Sequence, residues 1–72
     1  MSYTTDMKVL GKQLKAARSR SGMTQEQAAE AIGVIPLTIS NWETGKKSPT
    51  LNTFIKLLNI YKEEFNTIAK EA

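Results

Sequence analysis

Gly45-Lys46-Lys47-Ser48 sets two ammonium groups beside a glycine and a hydroxyl, a combination suited to holding phosphate. A phosphate loop also needs a Gly five residues before the Gly-Lys pair, just after a strand. Ser40 stands at that position within a helical pattern, so the nucleotide-binding reading fails. Glu26 and Glu30, one helical step apart, offer two carboxylates without a third ligand and read as a solvated face. The chain has no His and no Cys. The usual general base near neutral pH, the commonest metal ligand, the thiol nucleophile and the thiolate zinc site are all missing. An enzyme is not expected, and neither is a metal or other cofactor.

What remains is charge. The formal net charge of +3 and a pI near 9.4 point to an anionic partner. Residues 1–20 hold Lys8, Lys12, Lys15, Arg18 and Arg20 against Asp6, whereas residues 21–45 hold Glu26, Glu30 and Glu43 with no cation. Lys46, Lys47, Lys56 and Lys62 come next, and the end carries Glu63, Glu64, Lys70 and Glu71. Two basic clusters around a cation-free middle fit a footprint with a reading centre. A plain solvated helix face explains the same charges, and composition does not separate the two.

Positioning these groups falls to a small scaffold. Seventy-two residues allow one domain with a thin core, burying about 60% of the unfolded surface. The start Met-Ser-Tyr-Thr-Thr lacks the basic and apolar regions of a signal peptide. No run approaches the roughly 18 apolar residues of a membrane span. The expected location is the cytoplasm, that of a bacterial host if the chain is phage-encoded.

Apolar spacing between the Gly and Pro marks is helical. Val9, Leu10, Leu14 and Ala17 share a stripe, predicting a helix over about 5–21 that Gly22 ends, with Arg18 and Arg20 in its last turn. Thr24-Gln25-Glu26-Gln27 matches a capping box opening a helix over 24–32, stopped by Gly33. Pro36 suits the first turn of a third helix, 36–44, with Ile39 and Trp42 facing inward. Trp42 could instead stack on a base, but its spacing with Ile39 favours the core. Thr50 is the expected cap of the last helical stretch. In that stretch Phe54, Leu57, Leu58, Tyr61, Phe65 and Ile68 form one stripe, either along a single helix or along two (50–60 and 62–71) broken near Asn59 to Lys62. Tyr61 and Phe65 read as core, with a dimer or partner surface as the other possibility. No stretch alternates with period two, so the fold class is all-α, a compact bundle of four or five helices.

The connection Gly33-Val34-Ile35 is too short for a bundle hairpin and predicts the steep crossing of a helix-turn-helix over 24–44. The run TQEQAAEAIGVIPLTISNWETGKKSP, preceded by LGKQLKAARSRSGM, resembles the Cro/C1-type (XRE-family) helix-turn-helix of phage repressors and bacterial regulators. The likeness covers about residues 9–61. Its markers are Thr24-Gln25, Ala29, Ile32-Gly33-Val34, Thr38 to Glu43, Gly45-Lys46 and Pro49. The small size also resembles a temperate-phage Cro-like protein or an antirepressor of the modulator-of-repression kind. A lambda-repressor-like domain spanning 1–72 is what the resemblance implies.

It also implies roles. The third helix would lie in the major groove of an operator in double-stranded DNA, with two copies on half-sites about one helical turn apart, hence a possible homodimer. Pro36, Leu37, Thr38 and Asn41 would face bases; Gln25, Ser40, Lys46 and Lys47 would hold phosphates. Asn41 is the best base reader, because an Asn amide can pair with adenine N6 and N7. Arg18 and Glu43 occupy positions that form a structural ion pair in similar domains, although Arg18 could instead clamp phosphate and Glu43 accept from cytosine.

One departure matters. Ile35-Pro36-Leu37 stands where family members usually carry a polar cap and then Arg, Gln or similar residues. An apolar trio touches thymine methyls but decodes no donors or acceptors. Three readings stay open: DNA contact, contact with a partner phage repressor, or packing with Ile35 inward. The resemblance thus implies a regulator of transcription, or else an antirepressor that captures a repressor through this face.

Overall fold

The computed structural model describes residues 6–71, with side chains through residue 67. Four helices succeed one another: α1 (Met7–Ser21), α2 (Gln25–Ile32), α3 (Pro36–Thr44) and α4 (Leu51–Glu71). Among the described residues there is no strand, so the fold is all-α. No described helix is long and apolar enough to cross a membrane.

α1 begins at Met7 because Asp6 caps it: the carboxylate accepts from the main-chain N–H of Lys8 (3.0 Å) and Val9 (3.3 Å). Its buried line is Leu10, Gly11, Leu14, Ala17 and Ser21. Val9, expected on that stripe, is exposed. It lies about 100° round the helix from Leu10, on the side opposite Gly11, where no neighbour covers it. α1 is the central rod, packing against both α3 and α4, while α2 rests on α3.

Gly11 explains how closely the rods approach. A Cβ placed there would stand 2.5 Å from the Glu43 carbonyl oxygen and 2.6 Å from that of Trp42. The α3 backbone therefore rests directly on α1, and only glycine leaves room.

The core consists of Leu10, Leu14 and Ala17 from α1, Ala28 and Ala29 from α2, Ile39 from α3, and Phe54, Leu57 and Tyr61 from α4. Trp42 is half-buried and packs against this cluster. Tyr61 is 2% exposed, and among the described residues its Oη has no hydrogen-bond partner. Burial, reinforced by the nearby Glu43 carboxylate and opposed by Arg18, pushes its pKa up to about 12.

α4 opens as Thr50 Oγ1 accepts from the Thr53 N–H at 3.2 Å. It runs on without a break, so the five-helix alternative is set aside. Residues 51–71 contain no Gly or Pro, and Lys62, Glu63 and Glu64 are good helix formers at the suspected break. Phe65, expected in the core, is 45% exposed. α4 outruns its support there, since only Ala17 and Arg20 from the end of α1 flank it. The side chain of Ile68 lies outside the described residues.

Candidate nucleic-acid interface

α2 is fixed at both ends by its own sequence. The Thr24 hydroxyl accepts from the Gln27 N–H (3.0 Å) and the Gln27 carbonyl oxygen Oε1 accepts from the Thr24 N–H (2.9 Å). At the far end Gly33 turns left-handed (φ 79°), and the N–H groups of Gly33 and Val34 both reach the Ala29 carbonyl at 2.9 Å. A side chain at Gly33 would meet no neighbour, so the backbone conformation alone calls for glycine. Three residues later Pro36 opens α3.

The orientation of α3 is set by a charged brace. Arg18 Nε donates to Glu43 Oε2 at 2.6 Å and Nη2 to Oε1 at 3.0 Å, while Nη1 donates to the Met23 carbonyl at 2.9 Å. One guanidinium thus joins α1, the loop before α2, and α3. Its pKa is raised by the Glu43 hydrogen bond, with partial burial opposing. Gln25 completes the arrangement, its Nε2 donating to Glu43 Oε1 at 3.1 Å.

With Ile39 and Glu43 held inward, the other side of α3 faces outward. Ile35 and Leu37 are each 62% exposed, and Pro36 is exposed beside them. The packing-only reading of Ile35 is thereby corrected: its main chain turns outward as the residue before α3, and its carbonyl accepts from the Thr38 N–H at 3.0 Å. Thr38, Ser40 and Asn41 are half-exposed. Among the described residues no hydrogen bond occupies the Asn41 side-chain amide. Its main-chain carbonyl, however, accepts from Gly45, Lys46 (3.0 Å) and Lys47 (3.2 Å). That fork anchors both exposed lysines to the end of α3.

Pro36, Leu37, Thr38, Ser40, Asn41, Lys46 and Lys47 therefore lie on or at the end of one short helix. The Gln25 side chain stands apart, half-buried and engaged with Glu43, so what its position offers an anion is the N–H at the start of α2. Lys8 escaped the sequence reading. The space beside Gly45 is bounded by the Lys8 main chain and stem, which brings the start of α1 to the loop carrying Lys46 and Lys47. Only the fold brings residues so distant in sequence together. Glu26 and Glu30 gather no further carboxylate, and no group of three metal-binding side chains occurs among the described residues.

The comparisons with known proteins agree with this geometry. The helix-turn-helix family model matches residues 14–68. The HTH-type transcriptional regulator ImmR of Bacillus subtilis is 42% identical over 52 residues, covering 72% of this chain and 41% of the relative. The antitoxin HipB of Escherichia coli is 41% identical over 49 residues (68% and 56%). A prophage-derived uncharacterized HTH-type transcriptional regulator of Bacillus subtilis, YonR, is 35% identical over 52 residues (72% and 48%). The chain thus spans about half the length of these relatives. No solved structure matches it at a significant level. A capped α2, a left-handed Gly33 turn and an outward-facing α3, within a matched segment covering most of the chain, lead to one conclusion: the chain belongs to the helix-turn-helix family, of the Cro/C1 (XRE) type.

Proposed function

We propose that this chain is a DNA-binding regulator of transcription, acting in the bacterial cytoplasm without catalysis and serving a phage lysis–lysogeny switch. The observation that carries the reading is the outward face of α3, with the Asn41 amide unengaged and Lys46 and Lys47 tethered at its end. Residues 36–44 enter the major groove, Asn41 pairs with a base, and Pro36, Leu37 and Thr38 contact neighbouring base edges and methyl groups. Ser40, Lys46, Lys47 and the Gln25 N–H take phosphates. Related regulators named for transcription, one of them prophage-derived, support this reading.

The apolar tip at Ile35 and Leu37, each 62% exposed, favours a second reading. Here the chain is an antirepressor whose Ile35-Pro36-Leu37 end docks on a partner repressor and keeps that protein from its operator. A gel shift on the neighbouring promoter DNA, run with and without the adjacent repressor, separates the two. Binding by this chain alone supports the regulator. Failure to bind, together with release of the repressor from DNA, supports the antirepressor and overturns the first reading.

A further inference from the structure

α4 carries two apolar lines, and the fold uses one. Phe54, Leu57 and Tyr61 enter the core. About a quarter turn round the helix lie Leu51, Ile55, Leu58, Lys62 and Phe65, at steps of four, three, four and three. That is the spacing of a helix–helix seam. Leu51 and Ile55 are 48% exposed and Phe65 45%, so the seam is open along its length. Asn52, Asn59 and Asn66, all exposed, recur every seven residues along its outer edge. A core-only helix needs neither the second apolar line nor the asparagine ladder.

We infer that this seam is where a second copy of the chain pairs, its α4 running antiparallel to the first about a two-fold axis near Leu58. The positions are self-complementary in that direction. Leu51 meets the partner's Phe65, Leu58 meets its own copy, Asn52 meets the partner's Asn66, and Ile55 lies under the stem of the partner's Lys62. A groove of about 360 Å³ between Ala17, Arg20, Leu58, Tyr61, Lys62 and Phe65 sits at one end of the seam. In this register it receives the partner's Leu51, and the two grooves are filled reciprocally. Charge selects the direction. A parallel pair stacks Lys62 on its own copy, whereas the antiparallel pair sets Arg20 and Lys62 against neutral residues. The face is about 24 Å long and one helix wide, at the small end of specific interfaces, so the pair forms weakly in isolation. The pairing is independent of what α3 contacts.

Analytical ultracentrifugation over a concentration series reaching the millimolar range tests it on the whole chain. The apparent mass is expected to rise from one chain to two. Ile55→Asp and Leu51→Asp, both at exposed sites, are expected to hold it at one with helicity unchanged by circular dichroism, while Leu37→Asp still pairs. The chain has no cysteine, so introduced thiols report the register. Leu58→Cys should oxidise to a covalent dimer, and Leu51→Cys should cross-link with Phe65→Cys but not with itself. A single-chain mass at every concentration overturns the proposal, including the case where the face takes a helix of another protein. So does a dimer indifferent to Ile55→Asp, or a Leu51→Cys self-cross-link.

Discussion

The Arg18 guanidinium grips the Glu43 carboxylate with two hydrogen bonds, at 2.6 and 3.0 Å, across 25 residues of sequence. The two side chains are 14% and 3% exposed, so water screens the pair little. Removing one partner strands the other. Arg18→Ala and Glu43→Ala are each expected to cost about 3–5 kcal/mol in urea unfolding. Arg18→Met combined with Glu43→Leu should recover most of that loss, because apolar groups need no counter-charge. A double variant as unstable as the sum of the single ones would show that the pair matters through packing rather than charge.

Gly11 is expected to resist even the smallest side chain. Helix propensity favours Ala over Gly by about 1 kcal/mol, but the added carbon meets two main-chain oxygens of α3 that cannot rotate away. Overpacking of this kind typically costs about 1–3 kcal/mol. Gly11→Ala should therefore lower the unfolding midpoint and disturb the fluorescence of Trp42, the residue whose carbonyl is struck. A midpoint equal to or above that of the parent would mean the two rods have room to spare.

Tyr61 makes stability fall in alkali. Its pKa is about 12 in the fold against about 10 for a free phenol. The raised value means that folding disfavours the phenolate. Its contribution is complete below pH 10, the unfolded value, and is lost as pH climbs towards 12. The loss amounts to about 2–3 kcal/mol at most. Because Oη is buried without a partner, Tyr61→Phe should leave neutral-pH stability unchanged or higher and remove this alkaline slope. Thermal melts at pH 7, 10 and 11 read both effects.

What the sequence disclosed was local. Thr24, Gln27, Gly33, Pro36 and Thr50 act within one helical turn of where they sit, and each marks a helix end found in the structure. What it concealed depends on distance in space. Gln25 looks like a free polar residue until Glu43 arrives from 18 residues away. Phe65 continues a perfect stripe, but periodicity does not reveal where the neighbouring helix stops. Gly11 did leave a signal, since a mid-helix glycine sacrifices stability unless something presses on it. Asp6 was legible too: an acid two residues before Lys8 is a natural cap.

Three substitutions on α3 and the loop after it separate reading from holding. Lys46 is exposed and tied by its N–H to Asn41, so its ammonium is free to reach phosphate without ordering a new loop. Lys46→Ala should weaken DNA binding equally on all sequences and flatten the slope of log affinity against log salt by about 1. Asn41→Ala should leave that slope alone and cost about 1–3 kcal/mol on the preferred site only, since a side-chain amide pairs with one base and not with the backbone. Its main-chain carbonyl keeps the lysine loop in place, so the variant tests the amide rather than the fold. Leu37→Asp puts a negative charge at the DNA-facing tip, where it repels any duplex and also spoils an apolar docking site. Its effect on a repressor complex is therefore the informative one. Survival of that complex in Leu37→Asp would remove the antirepressor reading, and loss of it with no DNA affinity in the parent chain would remove the other.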